Sequence, residues 1–222
     1  MSTSNPKRTP WGLVAYIAVA VIAIGVGTVM LTPEQDLPIY QPSDLNPALV
    51  DPAALGHEDH RILPFTLLNQ LGDTVTEADA AGQVLVVDFF FTRCATICPM
   101  LTSNMKRVQD SFMAEEGVRL MSHSVTPVAD SVSVLSAYGE ANGVNPDRWW
   151  LLTGPKPEVY KLARQSYFAA LDEGDGGLQD FVHTENMVLV DTLGQLRGFY
   201  DGTDLDEVNR LVRDLQFLLG RR

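Results

Sequence analysis

Val84-Leu-Val-Val-Asp-Phe-Phe-Phe-Thr-Arg-Cys-Ala-Thr-Ile-Cys-Pro-Met100 runs from an almost unbroken apolar stretch straight into a pair of cysteines. The stretch from Val84 to Phe91 is β-branched and aromatic, without the alternation of a half-exposed strand, so it predicts a central strand buried on both faces. Beyond it, Pro99 suits a first helical position, and Leu101, Met105, Val108 and Phe112 recur at helical spacing along one face. Strand, cysteine loop and helix are therefore contiguous.

Outward from this unit the pattern continues to alternate. Val118–Val125 reads as a second strand, 132–141 as a helix, Trp149–Leu152 as a third strand and 157–167 as another helix. Two more strands, Met187–Asp191 and Leu196–Tyr200, flank a Leu193-Gly194-Gln195 turn. A closing helix follows, with Asp204 and Glu207 as a capping box and Leu205, Val208, Leu211, Val212, Leu215 and Leu219 on its apolar face. Upstream, Phe65–Gln70 and Thr74–Thr76 around Gly72-Asp73 predict an opening hairpin. The expected fold is α/β: a thioredoxin-like mixed sheet flanked by helices, preceded by an N-terminal transmembrane helix.

That helix is expected over residues 11–31, an uncharged stretch long enough to cross the roughly 30 Å hydrocarbon core of a bilayer. Lys7 and Arg8 precede it while Glu34 and Asp36 follow, which keeps residues 1–10 cytoplasmic and sends the remainder outward. A cleaved signal peptide is the alternative, with Gly25-Val26-Gly27 as its cleavage site. Residues 32–60 carry Pro33, Pro38, Pro42, Pro47 and Pro52 and read as a linker, leaving 61–222 as the folded domain. The short polar head before Trp11 favours a bacterial cytoplasmic membrane over an organelle, with the domain on the periplasmic side. The chain has 28 Asp and Glu against 16 Lys and Arg, a formal net charge of -12, so nucleic acid is excluded as a partner.

The cysteines carry the chemistry. Cys94 and Cys98 would close too small a ring to be a useful structural crosslink. Placed at a helix N-terminus, with Arg93 beside them, they are expected to have lowered thiol pKa values, and residues four apart on a helical turn can turn both sulfurs toward one ion. His183 read alone is as readily a packed or surface histidine as a ligand. His57 and His60 give an H-x-x-H spacing but are expected to be solvated in the linker, and His123 within a strand is expected to be structural. Met100, Met105, Met121 and Met187 are expected to fill core. Asp172-Glu-Gly-Asp175 lacks the spacing of an EF-hand.

The stretch from Asp88 to Met105, DFFFTRCATICPMLTSNM, resembles the active-site signature of the SCO/SenC family, copper-binding thioredoxin-fold proteins associated with cytochrome c oxidase assembly. Ser124-Val-Thr-Pro127, Val182-His-Thr-Glu-Asn-Met187 and Gly198-Phe-Tyr-Asp-Gly-Thr203 extend the resemblance over nearly the whole domain. It implies copper ligation by Cys94, Cys98 and His183, a soft low-coordinate set suited to Cu(I) and, with rearrangement, Cu(II). A structural zinc site would want a fourth protein ligand. Ala95 and Thr126 depart from the family pattern, which more often has proline and an acidic residue there.

The function so implied is a copper chaperone that delivers copper to the dinuclear centre of cytochrome c oxidase during assembly. Its partners would be a copper-accepting oxidase subunit, a periplasmic copper donor or thiol reductant, and the membrane through residues 11–31. The alternative is a membrane-tethered thiol-disulfide oxidoreductase using Cys94 and Cys98, so enzymatic activity stays open. Against that alternative stand the C-x-x-x-C spacing and the lack of a proline before the Met187 strand. A peroxiredoxin would need threonine three residues before its cysteine, where Phe91 and Ala95 stand.

Overall fold

A computed structural model describes residues 15–21, 36–45, 59–169 and 184–220. The chain divides into two units, Met1–Asp36 and Leu37–Arg222. In the first, residues 15–21 are helical and exposed. Among the described residues no helix is long and apolar enough to cross a membrane, and the rest of the expected span at 11–31 lies outside them.

The second unit is built on a five-stranded sheet in the order β5-β4-β3-β6-β7. β3 (Val84–Phe90) lies in the middle because every one of its seven residues is buried, as its unbroken apolar character requires. β4 (Val118–Ser124) and β5 (Trp149–Leu152) run parallel on one side. β6 (Asn186–Val190) and β7 (Leu196–Asp201) form an antiparallel hairpin on the other. The opening hairpin β1 (Thr66–Leu68) and β2 (Thr74–Thr76) is a separate two-stranded sheet. It covers the outer edge: the Gln70 amide donates to Trp149 O at 2.8 Å and accepts from Leu151 N–H at 2.9 Å, so it caps β5 in place of a further strand.

Side chains alternate between two cores. Val84, Val86 and Phe90 face α1 (Cys98–Ser111), α2 (Val132–Asn142) and α4 (Leu205–Gly220), meeting Leu101, Met105, Val108, Leu135, Leu211 and Leu215. Leu85, Val87 and Phe89 face the hairpin and the segment after β5, meeting Phe65, Val75, Tyr160 and Tyr167. Each such fully buried aliphatic or aromatic side chain contributes about 1.5–3 kcal/mol. His123, on this second face of β4, is wholly buried; it stacks on Phe89 with ring centroids 5.1 Å apart and meets Tyr167 at 5.6 Å. Its structural role is as expected.

The helix expected over 157–167 is α3 (Lys156–Lys161) followed by a π-turn at Leu162–Ser166 and by Phe168 at φ 46°. The extra residue shifts the buried stripe by one position, so Leu162 and Tyr167, five apart, are both buried. The capping box of α4 does not form. Asp204 caps through the Asp206 N–H at 2.8 Å, while Glu207 turns to the Arg210 guanidinium at 2.5 Å, because a full charge outcompetes a backbone amide. Leu205 is exposed, and Leu218 is buried in addition to the expected apolar face.

Part of the proline-rich stretch is packed. Arg197, paired with Asp191 at 2.9 Å in a buried site, donates to the carbonyls of Leu37 and Pro38, and Tyr40 N–H bonds Leu196 O at 2.9 Å. His60, expected to be solvated, is instead buried: its Nε2–H donates to Ser166 O at 2.9 Å and its ring lies 4.7 Å from that of Phe168. His57 lies outside the described residues.

Candidate metal site

β3 ends at Phe90 and α1 begins at Cys98, so the intervening loop sits at the carboxyl end of the central strand. The two cysteines do not share a helical face as the spacing suggested, because Cys94 precedes the helix. They converge through a turn in which Cys94 N–H bonds Phe91 O at 3.4 Å and the Cys98 N–H then points at Cys94 Sγ, also at 3.4 Å. Cys94 thus stands where a capping side chain would, receiving an amide that the helix leaves unsatisfied.

This placement makes the thiols unequal. Burial alone would raise the Cys94 pKa, but hydrogen bonds from the Cys98 thiol, the Cys98 N–H and Thr96 outweigh it and bring the thiol down to about 7. Cys98 goes the other way, pushed up to about 12 by burial, by its hydrogen bond to Cys94 and by nearby negative charge on Cys94 and Asp88. The lowering at Cys94 comes from these local donors rather than from Arg93, which points to solvent. At neutral pH the site therefore offers one accessible, partly ionised sulfur and one buried protonated sulfur. Both are uncrosslinked thiols.

Beneath the helix lies a group that the sequence reading passed over. Asp88 is fully buried on the same face of the sheet, opposite Ser122 in the β3–β4 register. Its carboxyl is pushed up to about 7 by burial, opposed by a hydrogen bond from Ser122, and its Oδ1 has no partner among the described residues. An acidic residue inside an apolar strand was the available signal.

His183 lies outside the described residues, as does the Asp172–Asp175 loop. What precedes β6 is nonetheless informative. β6 pairs antiparallel with β3, Val188 opposite Val87, so its first residues reach the end of the sheet that carries the cysteine loop. There Glu185 O accepts from Gly202 N–H at 2.8 Å, and Gly202 O accepts from Asn104 of α1 at 2.7 Å. A Cβ on Gly202 would sit within 3.0 Å of Glu185 O and Met187 Cε and still closer to Leu101, so only glycine lets the three segments meet. The cysteine helix and the residues following His183 are bound to one turn. Of the methionines, Met105, Met121 and Met187 fill core as expected, whereas Met100 is exposed beside the cysteine loop. Among the described residues no three His, Cys, Asp or Glu side chains converge as a metal-binding group.

A mixed sheet whose central strand hands two cysteines to a helix N-terminus defines a thioredoxin-like dithiol protein. The SCO1/SenC family profile matches residues 54–219, and the chain belongs to that family. It is 31% identical over 160 residues to the SCO1 protein homolog of Bacillus subtilis, covering 71% of this chain and 82% of that one. Against the mitochondrial SCO1 homolog of Homo sapiens it is 28% identical, and the match spans 46% of that protein. Among solved structures it superposes on BsSco, a member of the Sco family of cytochrome c oxidase assembly proteins in which a disulfide switch was identified, with a TM-score of 0.63 and 30% identity over 74% of this chain and 96% of that one. Arabidopsis thaliana ScoI, solved with copper bound, shares the fold at a TM-score of 0.58 and 24% identity, over 72% of this chain and 99% of that one.

Proposed function

We propose that this chain is a membrane-anchored copper chaperone that takes copper on Cys94, Cys98 and His183 and passes it to the dinuclear centre of a cytochrome c oxidase subunit during assembly. The observation that carries this reading is the pair of unequal thiols at the N-terminus of α1 in a chain of the SCO1/SenC family. Two thiolates and an imidazole favour a soft ion, and copper is here the cargo. BsSco belongs to an oxidase-assembly family and the Arabidopsis ScoI holds copper, which supports the same cargo and destination for this chain.

The chemistry of delivery follows from the thiols. Cys94, half-exposed, is the ligand an incoming cysteine or histidine can displace first, while buried Cys98 keeps hold until the exchange is complete. Both must be reduced to bind, so a thiol reductant and a copper donor on the same side of the membrane are part of the proposal. Residues 11–31 hold the chain in a bacterial cytoplasmic membrane with residues 1–10 inside and the domain, onto which Leu37, Pro38, Tyr40 and His60 pack, in the periplasm. The uncharged stretch and its flanking charges support that topology.

Copper titration of the full chain tests the reading. About one copper per chain is expected, with a thiolate-to-Cu(II) charge-transfer band, and His183→Ala should weaken affinity by at least about tenfold, or 1.4 kcal/mol, and alter that band. Unchanged copper binding by His183→Ala, together with strong reductase activity toward an oxidised partner, would replace the chaperone with a thiol-disulfide oxidoreductase.

A further inference from the structure

Asp130 is a fully buried carboxyl in the loop between β4 and α2, and no cation among the described residues pairs with it. Hydroxyls and one amide surround it instead. Its Oδ1 accepts the Thr92 hydroxyl at 2.6 Å. Its Oδ2 accepts the Ser124 hydroxyl at 2.6 Å, the Thr126 hydroxyl at 2.9 Å and the Thr92 N–H at 3.2 Å. The Asp130 N–H returns to Thr126 O at 2.9 Å, so the acceptor is itself held by the loop it organises.

Two of those four bonds go to one residue, and that residue starts the cysteine loop. Thr92 follows β3 and lies inside the turn closed by Cys94 N–H on Phe91 O. Fixing its amide and its hydroxyl fixes the turn, and the turn sets where Cys94 Sγ lies relative to the Cys98 N–H. Burying a carboxyl costs several kcal/mol unless donors meet it, and here half of the donors come from the residue that opens the cysteine loop.

We propose that Asp130 is a positioning residue of the metal site: through Thr92 it holds the cysteine loop in the turn that presents Cys94 over the first amide of α1. The proposal rests on the copper reading above for its purpose, but its geometry does not involve the metal. Thermodynamically the loop is ordered before an ion arrives, so binding does not have to supply that ordering.

The test uses the full chain and two readouts, copper affinity and the rate at which iodoacetamide labels Cys94 in the metal-free reduced protein at pH 7. Thr92→Val removes one hydroxyl and leaves Asp130 in place; it should lower copper affinity about tenfold and slow labelling several-fold, because Cys94 drifts from the amide that favours its thiolate. Asp130→Asn, which puts an amide N–H₂ against donors, should do more. Thr92→Ser keeps the hydroxyl and should restore both values. Gln70→Leu, a buried polar substitution at the far edge of the sheet, should lower the thermal midpoint without moving either readout. If Thr92→Val binds and labels as the wild type does, or if Gln70→Leu shifts both readouts as much, Asp130 serves folding only and the proposal is overturned. Should the wild type take up no copper, the chaperone reading fails, and the labelling comparison still decides the role of Asp130.

Discussion

Cys94→Ser is expected to cut copper affinity at least about a thousandfold, roughly 4 kcal/mol, and to remove the charge-transfer band. A serine hydroxyl is a hard donor that keeps its proton at any pH the chain tolerates, whereas Cys94 is already partly ionised at neutrality. The inequality of the two thiols gives a second observable. At pH 7 copper uptake should release roughly one to two protons per chain, one from Cys98 and a fraction from the partly ionised Cys94. Near pH 9, with Cys94 ionised beforehand, the release should fall to about one. Calorimetric titrations in buffers of different ionisation enthalpy measure this directly. A release of about two protons by the wild type at pH 7 would mean that both thiols are protonated and equivalent, and the stepwise exchange proposed above would lose its physical basis.

How far the sequence alone reached depends on whether a feature is periodic or convergent. The central strand, the cysteine helix and the β6–β7 hairpin were legible because burial on two faces, on one stripe and around a Gly194 turn leaves a repeating mark on the chain. The π-turn after Lys161 makes a single five-residue step, Leu162 to Tyr167, which does not repeat and so gives no period to read. The Glu207 capping box failed for a different reason: Arg210, one turn along, was a stronger partner than the amide. The candidate site divides in the same way. Cys94 and Cys98 announce themselves by spacing, whereas Asp130 matters because it meets Thr92, 38 positions away, and Asn104 because it meets Gly202, 98 positions away. No local pattern encodes such meetings. Asp88 was visible in principle as an acid inside an apolar run, and it reads as significant only once β3 is known to be buried on both faces.

Asp88→Asn is expected to stabilise the chain by about 2–4 kcal/mol at pH 8 and by close to nothing at pH 4. The sign follows from where the proton sits. The folded chain holds a proton on Asp88 up to about pH 7, while the unfolded chain releases it near 3.8. Stability from this group is therefore complete below 3.8 and is lost as pH rises to 7. His123 works in the opposite sense: burial lowers its pKa from 6.5 to about 3, so its contribution is complete above 6.5 and is lost as pH falls toward 3. Each slope is on the order of 1 kcal/mol per pH unit, and between 3.8 and 6.5 they oppose each other. His123 stacks on Phe89 while Asp88 bonds Ser122 on the opposite face, and burial rather than Asp88 sets the His123 shift, so the two effects should add. Urea unfolding at pH 4.5, 6 and 8 should show the wild type nearly level across the acid range from this pair. Asp88→Asn should lose stability as pH falls below 6.5, and His123→Phe should gain it. An Asp88→Asn chain no more stable than the wild type at pH 8 would mean that its ionised form is not strained by burial. If the gain appears, the wild type carries an acid that weakens the fold, placed where its charge adds to the forces holding the proton on Cys98. That cost lies under one member of the dithiol pair, where the Asp88 charge adds to burial and to the Cys94 hydrogen bond in keeping the two sulfurs unequal.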